Sequence, residues 1–300
     1  MRGWIIYNAF LGTKFTQQAQ QLIAAAEKLG VTLEPKASTE VLYLASSEGF
    51  QLLSGEALPD FVLFWDKDIR LAQALEGMGV RLFNTSRAIE LCDDKSLTHF
   101  ALQKAGIPMP DTIFVPKTYE GIGYGNAAFL ENAAAALSFP IVVKEWFGSF
   151  GQQVYLANNL EELYEIVART APKPLLLQKM VKSSVGRDVR LNVVGGQVVV
   201  SMYRTAKSGD FRSNITNGGS AVTYTPTREE TKLAEECCRI LGLDFGGVDI
   251  LFGERGPVVC EVNSNAHMKN IRDVTGIDVA EYIAAHIVRE IYGERGCVIR

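Results

Sequence analysis

The residues best suited to chemistry lie near the C-terminus. GVDILF (247–252) and PVVCEVN (257–263) flank Gly-Glu-Arg-Gly and read as two strands of a hairpin. With the turn centred on Arg255, Asp249 and Glu261 fall opposite each other, and Asn263, two residues on, shares the face of Glu261. Facing carboxylates repel unless a cation lies between them. Oxygen-only ligands on rigid strands suit a magnesium ion, with water or phosphate completing its octahedron. A solvated acidic edge is the plainer alternative, and the apolar strands VDILF and VVCEV argue against it.

IVVKEWFGSFGQQVYL (141–156) places Lys144 at the end of an apolar strand and Gly148, Ser149 and Gly151 just after it. A glycine loop between antiparallel strands can fold over phosphates, its N–H groups meeting oxygens while a lysine supplies charge. No Gly-Lys-Ser/Thr opens a helix, so this is not a Walker loop, and by itself a glycine hairpin is usually only a turn. Between 188 and 219 the chain holds Arg190, Arg204, Lys207, Arg212 and Asn214. Lys207 reads as a solvated loop residue. Arg190 and Arg204 sit in apolar strand sequence, where bidentate guanidiniums suggest an anion site.

The elements that must carry these residues follow from periodicity. Apolar runs at 4–10, 61–66 and 81–84 alternate with helical spacing at Thr16–Leu29 and Ile69–Met78, which predicts an α/β unit with a parallel sheet. AFLGTKF lacks the glycines of a dinucleotide fingerprint. From Ser86 a single long helix, with Asp93, Asp94 and Lys95 at its middle, is expected to run to Gly106. Beyond an exposed loop at 116–126, strands dominate: IVVKEW, VYLA and LLLQKMV around a helix at Leu160–Arg169. DVRLNVV and QVVVSMY then form a hairpin about Gly195-Gly196. Helices at Thr227–Leu241 and Ile277–Tyr292 complete the pattern.

Composition narrows the partners. The 300 residues are 47% hydrophobic and 21% charged, with 30 Lys+Arg against 34 Asp+Glu, a net charge of −4. That balance excludes a generally basic nucleic-acid binder, while leaving room for a local cationic cleft. No run approaches a membrane span or a signal segment. Five cysteines without C-x-x-C spacing and three scattered histidines argue for reduced structural thiols in a cytoplasmic protein, not for Cys/His metal chemistry.

The order Lys95, Lys144 with its glycine loop, LLLQKMV, D-x-R, R…RSN and D…E-x-N resembles the ATP-grasp superfamily over roughly 86–292. YRTAKSGDFRSNITNGG and GVDILFGERGPVVCEVNSN are similar to its RimK-type α-L-glutamate ligase branch. The resemblance implies an α+β ATP-grasp fold in three parts: an N-terminal α/β domain (1–90), a central lobe (91–180) and a C-terminal antiparallel catalytic lobe (181–300). It implies ATP with Mg2+, or Mn2+ in its place. Lys95 and Lys144 would hold phosphates beneath Gly148, Ser149 and Gly151, while Gln178, Lys179 and Val181 would line adenine and Asp188 would meet ribose. Arg212 and Asn214 would contact phosphate and the developing acylphosphate, with Arg190 and Arg204 nearby as catalytic groups. Asp249, Glu261 and Asn263 would bind the metal.

Two departures stand out: Lys179 occupies the usual place of a glutamate, where backbone contacts to adenine can survive, and SNAHMKNI (264–271) is closer to the lysine-biosynthesis ligases. His267, a lone histidine there, reads as structural or incidental, with substrate contact as the alternative. The implied reaction joins an amino acid such as glutamate to a carboxylate-bearing small molecule, peptide or protein tail. An ATP-grasp phosphotransferase and a non-catalytic ATP-binding module are the alternatives. Neither nucleic acid nor membrane is expected as a partner, and homo-oligomerisation stays open.

Overall fold

The computed structural model describes residues 2–148, 151–213 and 218–293. Strands β1 (Arg2–Tyr7), β2 (Thr32–Ala37), β5 (Phe61–Trp65) and β6 (Arg81–Phe83) form a parallel sheet in the order β2-β1-β5-β6. A short hairpin of β3 (Tyr43–Ser46) and β4 (Gly49–Leu52), which the periodicity did not reveal, interrupts the chain. Every residue of β5 is buried, as expected for a parallel strand covered on both faces. Helix α1 (Thr13–Glu27) packs on one face, and α2 (Ile69–Gly77), capped by the Asp68 carboxylate, follows β5.

The long helix expected after Ser86 is two helices, α3 (Ser86–Asp93) and α4 (Lys95–Lys104). Asp94 breaks it. Its backbone leaves the helical region (ψ 105°), and its side chain accepts hydrogen bonds from the Ser96 and Leu97 N–H groups. An aspartate that can satisfy orphan donors favours a cap over a helix interior. The break places Lys95 at the first position of α4, and its N–H donates to the Trp146 carbonyl at 3.0 Å.

A second sheet contains β7 (Thr112–Phe114), β8 (Ile141–Glu145), β9 (Val154–Ala157) and β10 (Leu175–Lys179) in the order β7-β10-β8-β9, all antiparallel. Helices α5 (Phe129–Leu137) and α6 (Leu160–Thr170) share its core through Leu130, Leu137, Leu163 and Val167. The third sheet is also antiparallel. It holds β11 (Arg187–Val194), β12 (Gln197–Thr205), β13 (Ser220–Thr223), β14 (Phe245–Gly253) and β15 (Gly256–Asn263) in the order β13-β12-β11-β14-β15. Helix α7 (Arg228–Leu241), with a Thr227/Glu230 capping box, covers one face. Val189, Leu191, Val248, Ile250, Val259 and Val262 meet it there. Alternation therefore turns Asp188, Arg190 and Asp249 to the opposite face.

A shared core joins the first and third sheets. Leu22 and Ala26 of α1, Trp65 of β5 and Phe245 of β14 pack with Ile283 and Ile287 of α9 (Val279–Tyr292). Between β15 and α9 lies α8 (Met268–Thr275), which takes up the second half of SNAHMKNI. Buried Asn84 stitches the same junction. Its Oδ1 accepts from the Asp244 and Phe245 N–H groups, and its Nδ2 donates to the Phe245 and Ser264 carbonyls. The carboxyl ends of β1 and β5 thus face the end of β15.

Candidate active site

All three sheets contribute to one cavity of about 520 Å³. Its position on the third sheet depends on two β-bulges. The β14–β15 turn pairs Gly253 with Gly256, and an uninterrupted ladder would put Asp249 opposite Cys260. A register shift between Asp249 and Ile250 leaves Cys260 as the extra residue and sets Asp249 opposite Glu261. The expected pairing is therefore present, but through a bulge and not through a turn centred on Arg255. A second bulge, between Asn192 and Val193, brings Asp188 opposite Arg204 in the β11–β12 hairpin. Bulges re-aim side chains in this way beside functional sites. Here Cys260, Glu261 and Asn263 all line the cavity. Gly247, opposite Asn263, permits the return of the chain, since a Cβ there would lie 2.6 Å from the Ala266 Cβ.

The arginines expected against phosphate are bonded to the aspartates expected against ribose and metal. Arg190 donates Nε and Nη2 to the two oxygens of Asp249, each at 2.6 Å. Arg204 donates to both oxygens of Asp188 at 2.7 and 2.6 Å, and its Nη2 is 2.9 Å from Asp249 Oδ2. Register explains this: Arg190 faces Asp249 across β11–β14, while Asp188 faces Arg204 across β11–β12. Two guanidiniums and two carboxylates cancel in charge, which is what burial demands. Burial alone would raise the Asp249 carboxyl, but the two guanidiniums outweigh it and hold it below the usual carboxylate range.

The other cations are committed differently. Lys95 Nζ lies 3.3 Å from Glu261 Oε1 and donates to the Gly148 carbonyl at 3.1 Å. Arg212 pairs with Asp210 and donates Nη1 to the Gly151 carbonyl at 2.8 Å. The glycine loop is thus held at both ends by cations. Gly148 is required there, for its φ is +152° and a Cβ would meet Gln153 Oε1 at 2.5 Å. Ser149 and Asn214 lie outside the described residues. Lys144 is buried on β8, 3.7 Å from the Cys260 sulfur, with no carboxylate within ion-pair distance among the described residues. Burial raises the Cys260 thiol, although Lys144 pulls it back, so the sulfur stays protonated near neutrality.

Val142, Val154, Met180 and Leu251 add apolar walls to the cavity beside Gln178, Lys179 and Val181. Gln178 donates to Thr112 Oγ1 at 3.0 Å. The exposed Lys179 side chain reaches Asp111 at 3.8 Å, so only its backbone can serve the cavity. The Val181 N–H has no acceptor among the described residues.

The donor set fits magnesium on one condition. Among the described residues no group of three or more Cys, His, Asp or Glu side chains can hold a metal by itself. Glu261 is partly exposed with Lys95 as its neighbour, and Asn263 Nδ2 is buried without a partner. Asp249 must share its oxygens with Arg190 and Arg204. An ion here needs further oxygens, and magnesium usually takes them from water and substrate phosphates.

Sequence reasoning missed the wall contributed by the first sheet. Asn8 follows β1 and Asp66 follows β5, and both line the cavity with Gln18, Asn265 and His267. The signal was present, because polar residues just beyond the carboxyl ends of adjacent parallel strands mark the ligand crevice of open α/β sheets. His267 is not isolated: its Nδ1 lies 2.7 Å from Gln18 Nε2, and Phe15 packs edge-on against its ring.

Residues 92–287 match the family described as the RimK-like ATP-grasp domain. Beta-citrylglutamate synthase B of Danio rerio is 37% identical over 227 residues, 74% of this chain and 54% of that protein. The chain therefore spans about half the length of that relative. A probable alpha-L-glutamate ligase of Maridesulfovibrio salexigens is 36% identical over 219 residues, 72% of this chain and 70% of that one. In fold, the D-alanine–D-alanine ligase of Bacillus anthracis complexed with ATP superposes with a TM-score of 0.72, covering 98% of this chain and 100% of that chain at 19% identity.

Proposed function

The chain belongs to the RimK-like ATP-grasp family, and from that premise we propose that it is an ATP-dependent carboxylate–amine ligase. The observation that carries the reading is the cavity itself. Cations Lys95, Lys144 and Arg212 surround one region of it, the all-oxygen set of Glu261, Asn263 and Asp249 lies alongside, and an apolar slot ends it. That is the complement of a nucleoside triphosphate with its metal. Two relatives carry glutamate in their names, so L-glutamate is the first amino acid to test. A small molecule, peptide or protein tail supplies the carboxylate. The division into 1–90, 91–180 and 181–300 is part of the same proposal.

The chain's own residues bind and orient; they perform little proton chemistry. Val142, Val154 and Leu251 enclose the base, with the Lys179 carbonyl and Val181 N–H at its edge. Lys144, Lys95 and Arg212 neutralise phosphate oxygens beneath the loop that begins at Gly148. Asp188 and Arg204 support this floor through their mutual pair. Magnesium, held by Glu261, Asn263 and a shared Asp249, supplies Lewis-acid stabilisation of phosphoryl charge when bound. The carboxylate of one substrate attacks the γ-phosphate, ADP leaves, and an amine displaces phosphate from the acylphosphate to form the amide. Catalysis then rests on positioning and preorganised charge.

Phosphate release, screened over amino acids alone and with carboxylate acceptors, tests this, and mass spectrometry identifies the product. An amide with free phosphate supports the ligase, and a stable phosphate ester makes it a kinase. Glu261→Ala should lower turnover by about 10³-fold or more with an unchanged melting temperature. Wild-type ADP release by that variant at saturating magnesium would overturn the metal assignment.

A further inference from the structure

Residues 1–91 lie outside the family match, yet they build one wall of the cavity and place there a buried carboxylate without a counter-ion among the described residues. Asp66 is 6% exposed. Both its oxygens accept from Asn8 Nδ2 at 3.2 Å, and Oδ1 also accepts from the Lys67 backbone N–H at 2.7 Å. No Lys, Arg or His among the described side chains lies within ion-pair distance of it. The neighbouring Lys67 ammonium is directed instead to Asp93, at 2.6 Å. Buried carboxylates are costly unless paired, and a neutral amide with one N–H is meagre compensation.

A second acceptor lies beside it. Asn265 donates Nδ2 to the Asp66 backbone carbonyl at 2.9 Å, while its Oδ1 is buried without a partner. The donation fixes which end of the amide is which, so the orphan is an acceptor. Asn8 is fixed in the same way, because its Oδ1 accepts from the Phe10 N–H and its Nδ2 must turn to Asp66. The two demands are of one kind: a negative charge met only by neutral donors and a carbonyl oxygen with none, both suited to N–H donors. Every second residue from Glu261 through Asn263 to Asn265 lines the cavity, so this acceptor pair follows directly on the residues proposed to hold the metal.

Building on the ligase reading, we propose that Asp66 and Asn265 form the subsite for the amino group of the amine substrate, with Asn8 as the positioning residue. The class of ligand is an α-amino acid bound as its ammonium form, which passes one proton to the Asp66 carboxylate so that the freed amine, with its lone pair, can displace phosphate. The ammonium offers three N–H donors and the positive charge that the Asp66 carboxylate lacks. Because the subsite is built by residues before position 92 and by the turn after β15, amine selection is separable from nucleotide binding. A desamino analogue gains nothing from these acceptors and leaves both unpaired, the situation in which polar sites discriminate most strongly.

The test uses the full chain loaded with Mg2+ and the non-hydrolysable analogue AMP-PNP. It is titrated calorimetrically with each proteinogenic L-amino acid and, for any that binds, with its desamino counterpart (glutarate for L-glutamate). The amino acid is expected to bind about tenfold or more tightly than its counterpart. Asp66→Asn should keep AMP-PNP affinity within about twofold and weaken the amino acid about tenfold or more, and Asn265→Ala about threefold to fivefold. If Asp66→Asn does not fold, the analogue comparison and Asn265→Ala decide. Equal binding of amino acid and desamino analogue, unchanged affinity in the folded variants, or no amino-acid binding by the AMP-PNP-loaded wild type would each overturn the subsite. Failure of the wild type to bind AMP-PNP would instead overturn the ligase reading on which the subsite rests.

Discussion

The two ends of the cavity solve the problem of buried charge in opposite ways. At the end proposed to take phosphate, Arg190 and Arg204 are neutralised by Asp249 and Asp188, and Lys95 and Arg212 donate to the carbonyls of the glycine loop. At the other end the Asp66 carboxylate has only neutral donors among the described residues. The first end holds its cations in place with internal partners that phosphate oxygens can supplement or replace. The second has no cation to displace and gains its first on binding. Lys144 is the exception at the end proposed to take phosphate, a buried ammonium without a carboxylate partner among the described residues. Internal pairing therefore separates residues that build the floor from residues that wait for ligand.

The strongest way to break this contrast is to unpair the floor. Arg204→Met leaves Asp188 buried without its guanidinium and Asp249 with one partner instead of two. Removing one member of a buried ion pair typically costs about 3–5 kcal/mol, so denaturant unfolding should show a loss of that size. Asp188→Asn/Arg204→Met together should recover part of it, since the strandedness of one charge, not the absence of the pair, dominates the penalty. A single-variant loss below about 1 kcal/mol would show that the floor is not held by these pairs.

Lys144→Met sharpens the contrast from the other side. The substitution removes an unpaired buried ammonium and keeps much of the apolar stem, so stability should hold or rise slightly. ATP affinity should fall by about 10–100-fold, or about 1.4–2.8 kcal/mol, as expected for loss of one charge-assisted contact. Titration with a fluorescent ATP analogue measures the second quantity and thermal melting the first. Lost stability with unchanged affinity would place Lys144 with the floor residues.

How much of this was legible in the sequence depended on distance along the chain. The hairpins could be read from their turn residues, and with them the facing of Asp249 and Glu261. Each hairpin nevertheless contains a bulge that no turn rule reveals; without it Asp249 would face Cys260. The Arg190–Asp249 pair lies between β11 and β14, strands that are not consecutive, so its register was closed to a local reading and the arginines were assigned to phosphate. Asp94 carried a legible signal that was overruled by apolar periodicity, although capping chemistry favours a helix start at that residue. Asp66 is the last residue of the apolar run 61–66. Its partners Asn8 and Asn265 stand 58 and 199 residues away, and only the shared core of the first and third sheets brings them together.

The smallest effect concerns the pH response of Asp66, and its sign distinguishes it from Asp249. Burial raises the Asp66 carboxyl, and the Asp68 charge adds to the rise, while the Lys67 N–H, Asn8 and the Asp68 N–H work against it. A carboxyl whose folded pKa lies above its unfolded value binds its proton more readily in the folded state. Above the folded pKa its charge therefore costs stability, and that cost is relieved as pH falls through the folded pKa towards the ordinary carboxylate value. Lys67, held by Asp93, and His267 across the cavity are the other titratable groups near this wall. Asp66→Asn carries no such charge. Its melting temperature relative to wild type should be most favourable at neutral pH, and the difference should shift steadily towards wild type as pH falls to the ordinary carboxylate range, then stay constant. The readout is this change in the difference, not its absolute value, because the Asn variant turns an amide N–H2 or a single carbonyl towards Asn8. A difference independent of pH would mean that Asp66 already has a counter-ion in the free protein, and the contrast between the two ends of the cavity would disappear with it.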